Sequence, residues 1–242
     1  MSKFLAIAGT FLVATLFWFG SSFVQDTSKI HELERSPDRG KLTWHAQLAK
    51  AKGLDKVLLR SSIVDYAVSG SFDDAVANCS LVIAEPFDSR SYATTYDIET
   101  WYKFRIVEEL SAPASDCTGC SPAVEPPMDL LPLGTNEFLS SKIGGEVTVD
   151  GVPIISSDPS FPDFQMGKRY LLLVVFDSKK VVGTLRSGPW GVFALDSDEK
   201  LRSVNAELKD PFREKLLSIR KLLTQPEALP EKGIESLLSA TS

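Results

Sequence analysis

The chain carries only two histidines, His31 and His45, and three cysteines among its 242 residues. With no HExxH spacing a zincin is excluded, and a Ser-His-Asp triad finds no histidine in the β-rich part of the sequence to serve it. Neither a GxSxG elbow nor a glycine-rich phosphate loop occurs. Zinc needs about four ligands, and the scattered thiols and imidazoles do not supply a set, so no metal and no cofactor is expected. Positive charge is also short. The 26 Lys and Arg stand against 32 Asp and Glu, for a net charge of −6. That leaves no basic surplus to neutralise a phosphate backbone, and nucleic acid is not an expected partner. Adjacent carboxylates at Asp73-Asp74 and Glu108-Glu109 read as solvated charge. On a strand, two neighbours such as Glu108 and Glu109 point to opposite faces and cannot share a site. No residue is assigned a catalytic role.

What is present begins with an uncharged run, FLAIAGTFLVATLFWF over residues 4–19, behind a head carrying Lys3. It reads as an export segment spanning residues 1–24. As a signal peptide it would place Gly20 and Ser22 before the cut. As an uncleaved anchor it continues through Val24, long enough at about 1.5 Å per residue to cross a hydrocarbon core of roughly 30 Å. Residues 25–40, mixed in charge and holding Pro37 and Gly40, read as a flexible tether. The remainder, 41–242, reads as a single β-rich domain with a β core at about 79–204. With 43% hydrophobic residues the chain has enough to bury a core.

Within that domain, residues 42–52 predict a short helix with Leu42, His45, Leu48 and Ala49 on one face and Gly53 past its end. Residues 56–68 favour a strand, and Ser71 caps a brief helix. Strands follow at residues 81–87 and 96–106. In the second, Tyr96, Ile98, Thr100, Tyr102, Phe104 and Ile106 alternate with Asp97, Glu99, Trp101, Lys103 and Arg105, which predicts one core face and one wet face. Asp150-Gly151 between alternating valines predicts a hairpin, because a type I′ turn needs positive φ at both central residues. The unbroken run at residues 170–176 predicts a central strand covered on both faces, and residues 190–195 supply another. Asp210 and Pro211 open a last amphipathic helix over residues 211–223. The fold class expected is mainly β within α+β. About five to seven antiparallel strands form an OB-like small barrel or sandwich flanked by helices near both ends.

Two features invite functional reading. Cys117 and Cys120 lie inside a proline-rich connection, residues 111–136, far longer than a hairpin loop. In an exported protein two thiols this close form a small-loop disulfide, while a thioredoxin-like site would need a helix N-terminus after a strand. Cys79 either bonds one of that pair or stays a buried free thiol. Trp101, Tyr96 and Trp190 are the candidate contact residues. Core packing is the plain alternative for Tyr96 and a turn cover for Trp190, whereas Trp101 sits on the charged face of its strand.

The residues CSLVIAE at 79–85, the strand at 96–106, and FQMGKRYLLL at 164–173 follow one another in an order that resembles OB-type barrels of the netrin and metalloprotease-inhibitor kind. They are also similar to secreted bacterial proteins with a GxxYLL strand. The resemblance covers roughly residues 78–204 and implies an exported, non-enzymatic, protein-binding barrel. Inhibitors of that kind present a cysteine at the mature N-terminus, whereas Cys79 here follows a tether, a helix and a strand, so inhibition of a protease is not carried over. The expected function is therefore a binding or structural domain, exported or held at the membrane through residues 4–24, whose partner is a protein. Two alternatives stand beside it: a thiol-disulfide redox protein using Cys117 and Cys120, and an envelope scaffold.

Overall fold

A computed structural model describes residues 27–60, 79–111, 125–177, 179–186, 188–195 and 201–204. Two helices, α1 (Thr27–Glu34) and α2 (Leu42–Lys52), precede the first strand. α2 ends where expected. Gly53 adopts φ 64°, a left-handed conformation open to glycine without penalty, and its N–H returns to the carbonyls of Ala49 and Lys50. Its buried face is Leu42, Ala46 and Ala49, with His45 and Leu48 only half covered, a shift of the stripe from the expected one. Trp44 lies off that stripe and donates from Nε1 to the Leu33 carbonyl at 2.6 Å, which docks α1 on α2. Residues 27–34, which composition assigns to a flexible tether, are thus an ordered helix.

Ten strands form two sheets among the described residues. The small sheet runs β1 (Val57–Arg60), β6 (Val152–Ser157), β5 (Gly145–Val149), with β1 parallel to β6 and the β5–β6 hairpin antiparallel. The hairpin is the one read from Asp150-Gly151, and φ values of 50° and 77° at those residues give the two positive angles its turn requires. The large sheet is antiparallel, in the order β10 (Leu201–Ser203), β9 (Val192–Leu195), β7 (Tyr170–Phe176), β2 (Ser80–Ala93), β3 (Ile98–Ser111), β4 (Glu137–Ile143). β8 (Gly183–Leu185) lies on the β9 side of β7, in line with β9. As expected, β7 is central and buried through Val175. β2 and β3 each run 14 residues, and three register shifts between them bend the sheet.

The bend nearly brings the sheet round on itself, since Leu139 of β4 forms a single parallel bridge to Val182 beside β8. One bridge is not a ladder. The closed barrel among the expectations is therefore not realised, and the fold is a mainly β, α+β arrangement of two sheets. The principal core lies inside the bend. Phe104 stacks on Phe138 at 5.1 Å, and Phe164 meets Tyr102, Phe104 and Tyr170 edge-on at 5.0 to 5.1 Å. Each aromatic so buried contributes about 1.5 to 3 kcal/mol relative to exposure. A second cluster seats α2 on β6 through Leu42, Ala46, Ala49, Val152 and Ile154, with Ile98 of β3 joining the two sheets.

The expected strand at 56–68 is described only over Val57–Arg60. Residues 4–24, the Ser71 helix, the pair Cys117 and Cys120, and the helix at 211–223 lie outside the described residues. Among the described residues no helix is long and apolar enough to cross a membrane.

Candidate functional site

The site grows out of the incomplete closure between β4 and β8. Leu139 N–H donates to the Val181 carbonyl at 2.9 Å, so Leu139 turns its backbone toward β8. Alternation along a strand then aims the N–H and C=O of Ser141 and Ile143 the same way, away from β3. On the facing strand, Asp177 N–H donates to Val182 O and Arg186 N–H to Leu173 O, both at 2.9 Å. Val182 and Arg186, which flank β8, are thereby committed to β7, and alternation leaves Leu185 to present its backbone to β4. Gly183 allows this approach: a Cβ there would lie 2.5 Å from Val174 Cγ1 and 2.8 Å from the Phe138 ring. Past the bridge the strands part. A cavity of about 220 Å³ opens between Ser141, Lys142 and Ile143 on one side and Thr184 and Leu185 on the other, with Phe161 and Glu99 in its wall.

Lys142 is the unusual group in that wall. Its side chain is 3% exposed, because β4 alternation places it on the core face with Phe138 and Ser140. Over it folds the segment that follows β6. Asp158 Oδ1 accepts from the Ser160 N–H at 2.9 Å and hydroxyl at 2.5 Å, a turn that carries Phe161 inward against Phe164. Burying an ammonium costs several kcal/mol unless it is paired and hydrogen-bonded. Here Nζ donates to the Phe161 carbonyl at 2.6 Å, meets Asp163 Oδ1 at 2.7 Å and lies 5.3 Å from the Phe161 ring centre. Tyr102 adds a hydroxyl to the same Asp163 oxygen at 3.3 Å. Burial first, and then the Asp163 charge and hydrogen bond, push the Tyr102 phenol well above its ordinary value, so it stays a donor. Burial also raises Tyr170, whose oxygen accepts the Gln165 N–H at 2.9 Å. Ser140 Oγ, on the same face as Lys142, is buried with no hydrogen-bond partner among the described residues.

The candidate contact residues fall differently from expectation. Trp101 is 2% exposed, packed with Leu130, Leu139 and Val182, so it is core and not a reachable surface. The cover comes from the second half of the proline-rich connection. A 3₁₀ turn at Met128–Leu130 is tied to β2 by an Arg90–Asp129 ion pair and by Tyr92 Oη donating to Asp129 Oδ1 at 2.8 Å. Tyr96, placed on the core face by alternation, is instead 62% exposed in the β2–β3 turn. Trp190 is half-buried in a 3₁₀ turn, Gly188–Gly191, whose first residue borders the cavity.

Cys79 is a buried free thiol, not bonded to the 117–120 segment, and no disulfide occurs among the described residues. Burial raises its pKa to about 11, against the opposing effect of Arg186. It has none of the thiolate character that redox chemistry needs. No grouping of three or more His, Cys, Asp or Glu side chains suited to a metal occurs among the described residues. Sequence reasoning missed Lys142, Asp163 and Ser140. The available signal was the period-two line Phe138, Ser140, Lys142, which puts a lysine on a core face.

Comparison with protein-family models, with curated proteins and with solved structures returns no match for this chain.

Proposed function

We propose that the protein is a non-catalytic binding module, exported or held at the membrane by residues 4–24, that receives an extended segment of a partner protein in the cleft between β4 and β8. The observation that carries this reading is the pair of facing strand edges. Ser141, Ile143 and Leu185 turn toward one cavity the strand edges that no second strand pairs among the described residues, and an added strand satisfies such edges by main-chain hydrogen bonds, with pockets for alternate side chains giving selectivity. In an exported chain Cys117 and Cys120 bond to each other in a small-loop disulfide.

The test is selection of short peptides on the full chain purified in detergent, followed by amide-shift mapping. Selected peptides should move the Ser141, Ile143 and Leu185 amides and lose binding to Ser141→Pro. Proline is tolerated on an edge whose N–H faces away from the ladder, so the variant should fold. Peptides that shift a different surface, or bind Ser141→Pro equally well, would refute the reading. Fractionation adds a second check, since an anchored protein follows the membrane pellet and a cleaved one the soluble fraction.

A further inference from the structure

We infer that Lys142 is a carboxylate receptor and that Asp163 occupies it as an internal stand-in, to be displaced by the carboxylate of a ligand seated in the β4–β8 cavity. The inference rests on the cleft being the binding site and names the chemistry it accepts.

The two partners differ sharply in burial: the lysine side chain is 3% exposed and the aspartate 72%. The aspartate loses little by exchanging its partner for water, because its charge is already largely solvated, so the cost of separation falls on the lysine. The lysine cannot follow it. A buried ammonium left without an anion is strongly unfavourable, so Asp163 leaves only when another carboxylate arrives. A neutral ligand cannot make the exchange.

Other features around Lys142 narrow the class. The ammonium has three N–H groups, of which the Phe161 carbonyl and Asp163 take two. Ser140 Oγ, one alternate position along the same strand face though outside the cavity lining, is buried without a hydrogen-bond partner among the described residues. An incoming carboxylate offers two oxygens and about four lone-pair sites to the ammonium. Glu99 in the same wall repels a second negative charge, which disfavours phosphate and dicarboxylates. Ile143, Phe161 and Leu185 are the apolar part of the wall, beside the small side chains of Ser141 and Thr184. A volume of about 220 Å³ is enough for one branched aliphatic group. The ligand chemistry is a monocarboxylate on a small apolar substituent, which either the last residue of a peptide or a free short-chain acid supplies.

The experiment uses the full chain in detergent, titrated with isovalerate, its neutral isostere isovaleramide, inorganic phosphate, and one peptide ending in valine prepared as free acid and as amide. Binding is followed by the amide shifts of Ser141, Phe161 and Asp163. Isovalerate and the free-acid peptide should bind; isovaleramide, the peptide amide and phosphate should not. Asp163→Asn removes the competing internal carboxylate and should tighten isovalerate by about tenfold or more, since the ligand no longer has to displace it. Lys142→Met should abolish binding. If that variant fails to fold, Asp163→Asn decides alone, because a purely structural ion pair predicts no gain in affinity on losing its carboxylate. Unchanged or weaker acid binding by Asp163→Asn, or equal binding of acid and amide, overturns the inference. Equal peptide binding as acid and amide within the cleft would leave the strand-addition reading standing; binding of isovalerate without either peptide would remove that reading and leave the receptor.

Discussion

Thr100 Oγ1 donates to the Gly144 carbonyl at 2.6 Å and lies 2.8 Å from Ser91 Oγ, so one threonine of the large sheet holds the bend by which the chain leaves β4 for β5. The bend passes directly over these hydroxyls. Gly144 and Gly145 have φ values of 109° and 131°, angles that side-chain-bearing residues rarely adopt. The two sheets are joined at this point by backbone packed on polar side chains, with Asp97 Oδ1 accepting from Ser156 Oγ at 2.9 Å close by.

Gly145→Ala should therefore be among the costliest single-methyl additions in the protein. The new Cβ would lie 2.2 Å from Thr100 Oγ1 and 2.5 Å from Ser91 Oγ. Strain at positive φ and overpacking together predict a loss of roughly 2 to 4 kcal/mol in urea unfolding. Gly151→Ala is the control. Its φ is also positive, at 77°, but nothing lies within 4 Å, so only the backbone penalty of about 1 to 2 kcal/mol applies. Equal losses at the two sites would show that the sheet junction yields freely.

The reassigned aromatics give a second contrast. Trp101→Ala empties a site enclosed by Leu130, Leu139 and Val182, and large-to-small changes of this kind cost about 3 to 5 kcal/mol. Tyr96→Ala removes an exposed ring and should stay within about 0.5 kcal/mol of the parent. Chemical denaturation with tryptophan-independent detection by far-UV circular dichroism measures both. Reversal of the order would restore Trp101 to the surface and Tyr96 to the core.

Why Trp101 deceives a reader of the sequence is instructive. The alternation at residues 96–106 correctly marks Ile98, Thr100, Tyr102 and Phe104 as one buried face. What alternation cannot show is a second cover on the opposite face, and Leu130 arrives there from a turn 29 positions downstream, counting from residue 101 to residue 130. Local chemistry was readable: Asp150-Gly151 dictates its own turn, Gly53 its own helix end, and the run at residues 170–176 its own two-sided burial. Non-local covers were not. The ordering of α1 depends on Trp44 reaching Leu33, and the burial of Lys142 depends on Phe161 folding across it. The candidate site belongs to the second kind, which is why its residues look like ordinary surface in SSKIGG.

Acid should weaken the fold partly through His45. Partial burial in α2 lowers its pKa below the usual 6.5, so the folded state resists protonation that the unfolded chain accepts. The contribution is present above about pH 6.5 and is lost as pH falls through the depressed folded value, because the unfolded state then binds more protons. His45→Gln should flatten that part of the stability profile between pH 7 and 5. An unchanged slope in the variant would assign the acid sensitivity to other groups.

The cysteines make the last prediction. Cys79 is 1% exposed and its pKa stands at about 11 in place of 9.0. Below pH 9 both folded and unfolded thiols are protonated; between about 9 and 11 the unfolded thiol ionises while the folded one does not. Stability should fall across that window, by about 2 to 3 kcal/mol at full extent, and Cys79→Ala should remove this slope. The same burial should keep Cys79 unreactive toward thiol reagents at pH 8 until denaturant is added. With Cys79 withheld, Cys117 and Cys120 are left to each other, and their two-residue spacing gives a far higher effective concentration than any distant pairing. Closing so short a loop contributes well under the roughly 3 kcal/mol of a 15-residue loop. The Cys117→Ser, Cys120→Ser double variant should therefore unfold close to the parent. Non-reducing peptide mapping of exported protein should yield one free Cys79 peptide and one internally bonded 117–120 peptide. A crosslink from Cys79 to that segment would overturn the buried free thiol, and reduced thiols at both 117 and 120 would overturn the local bond.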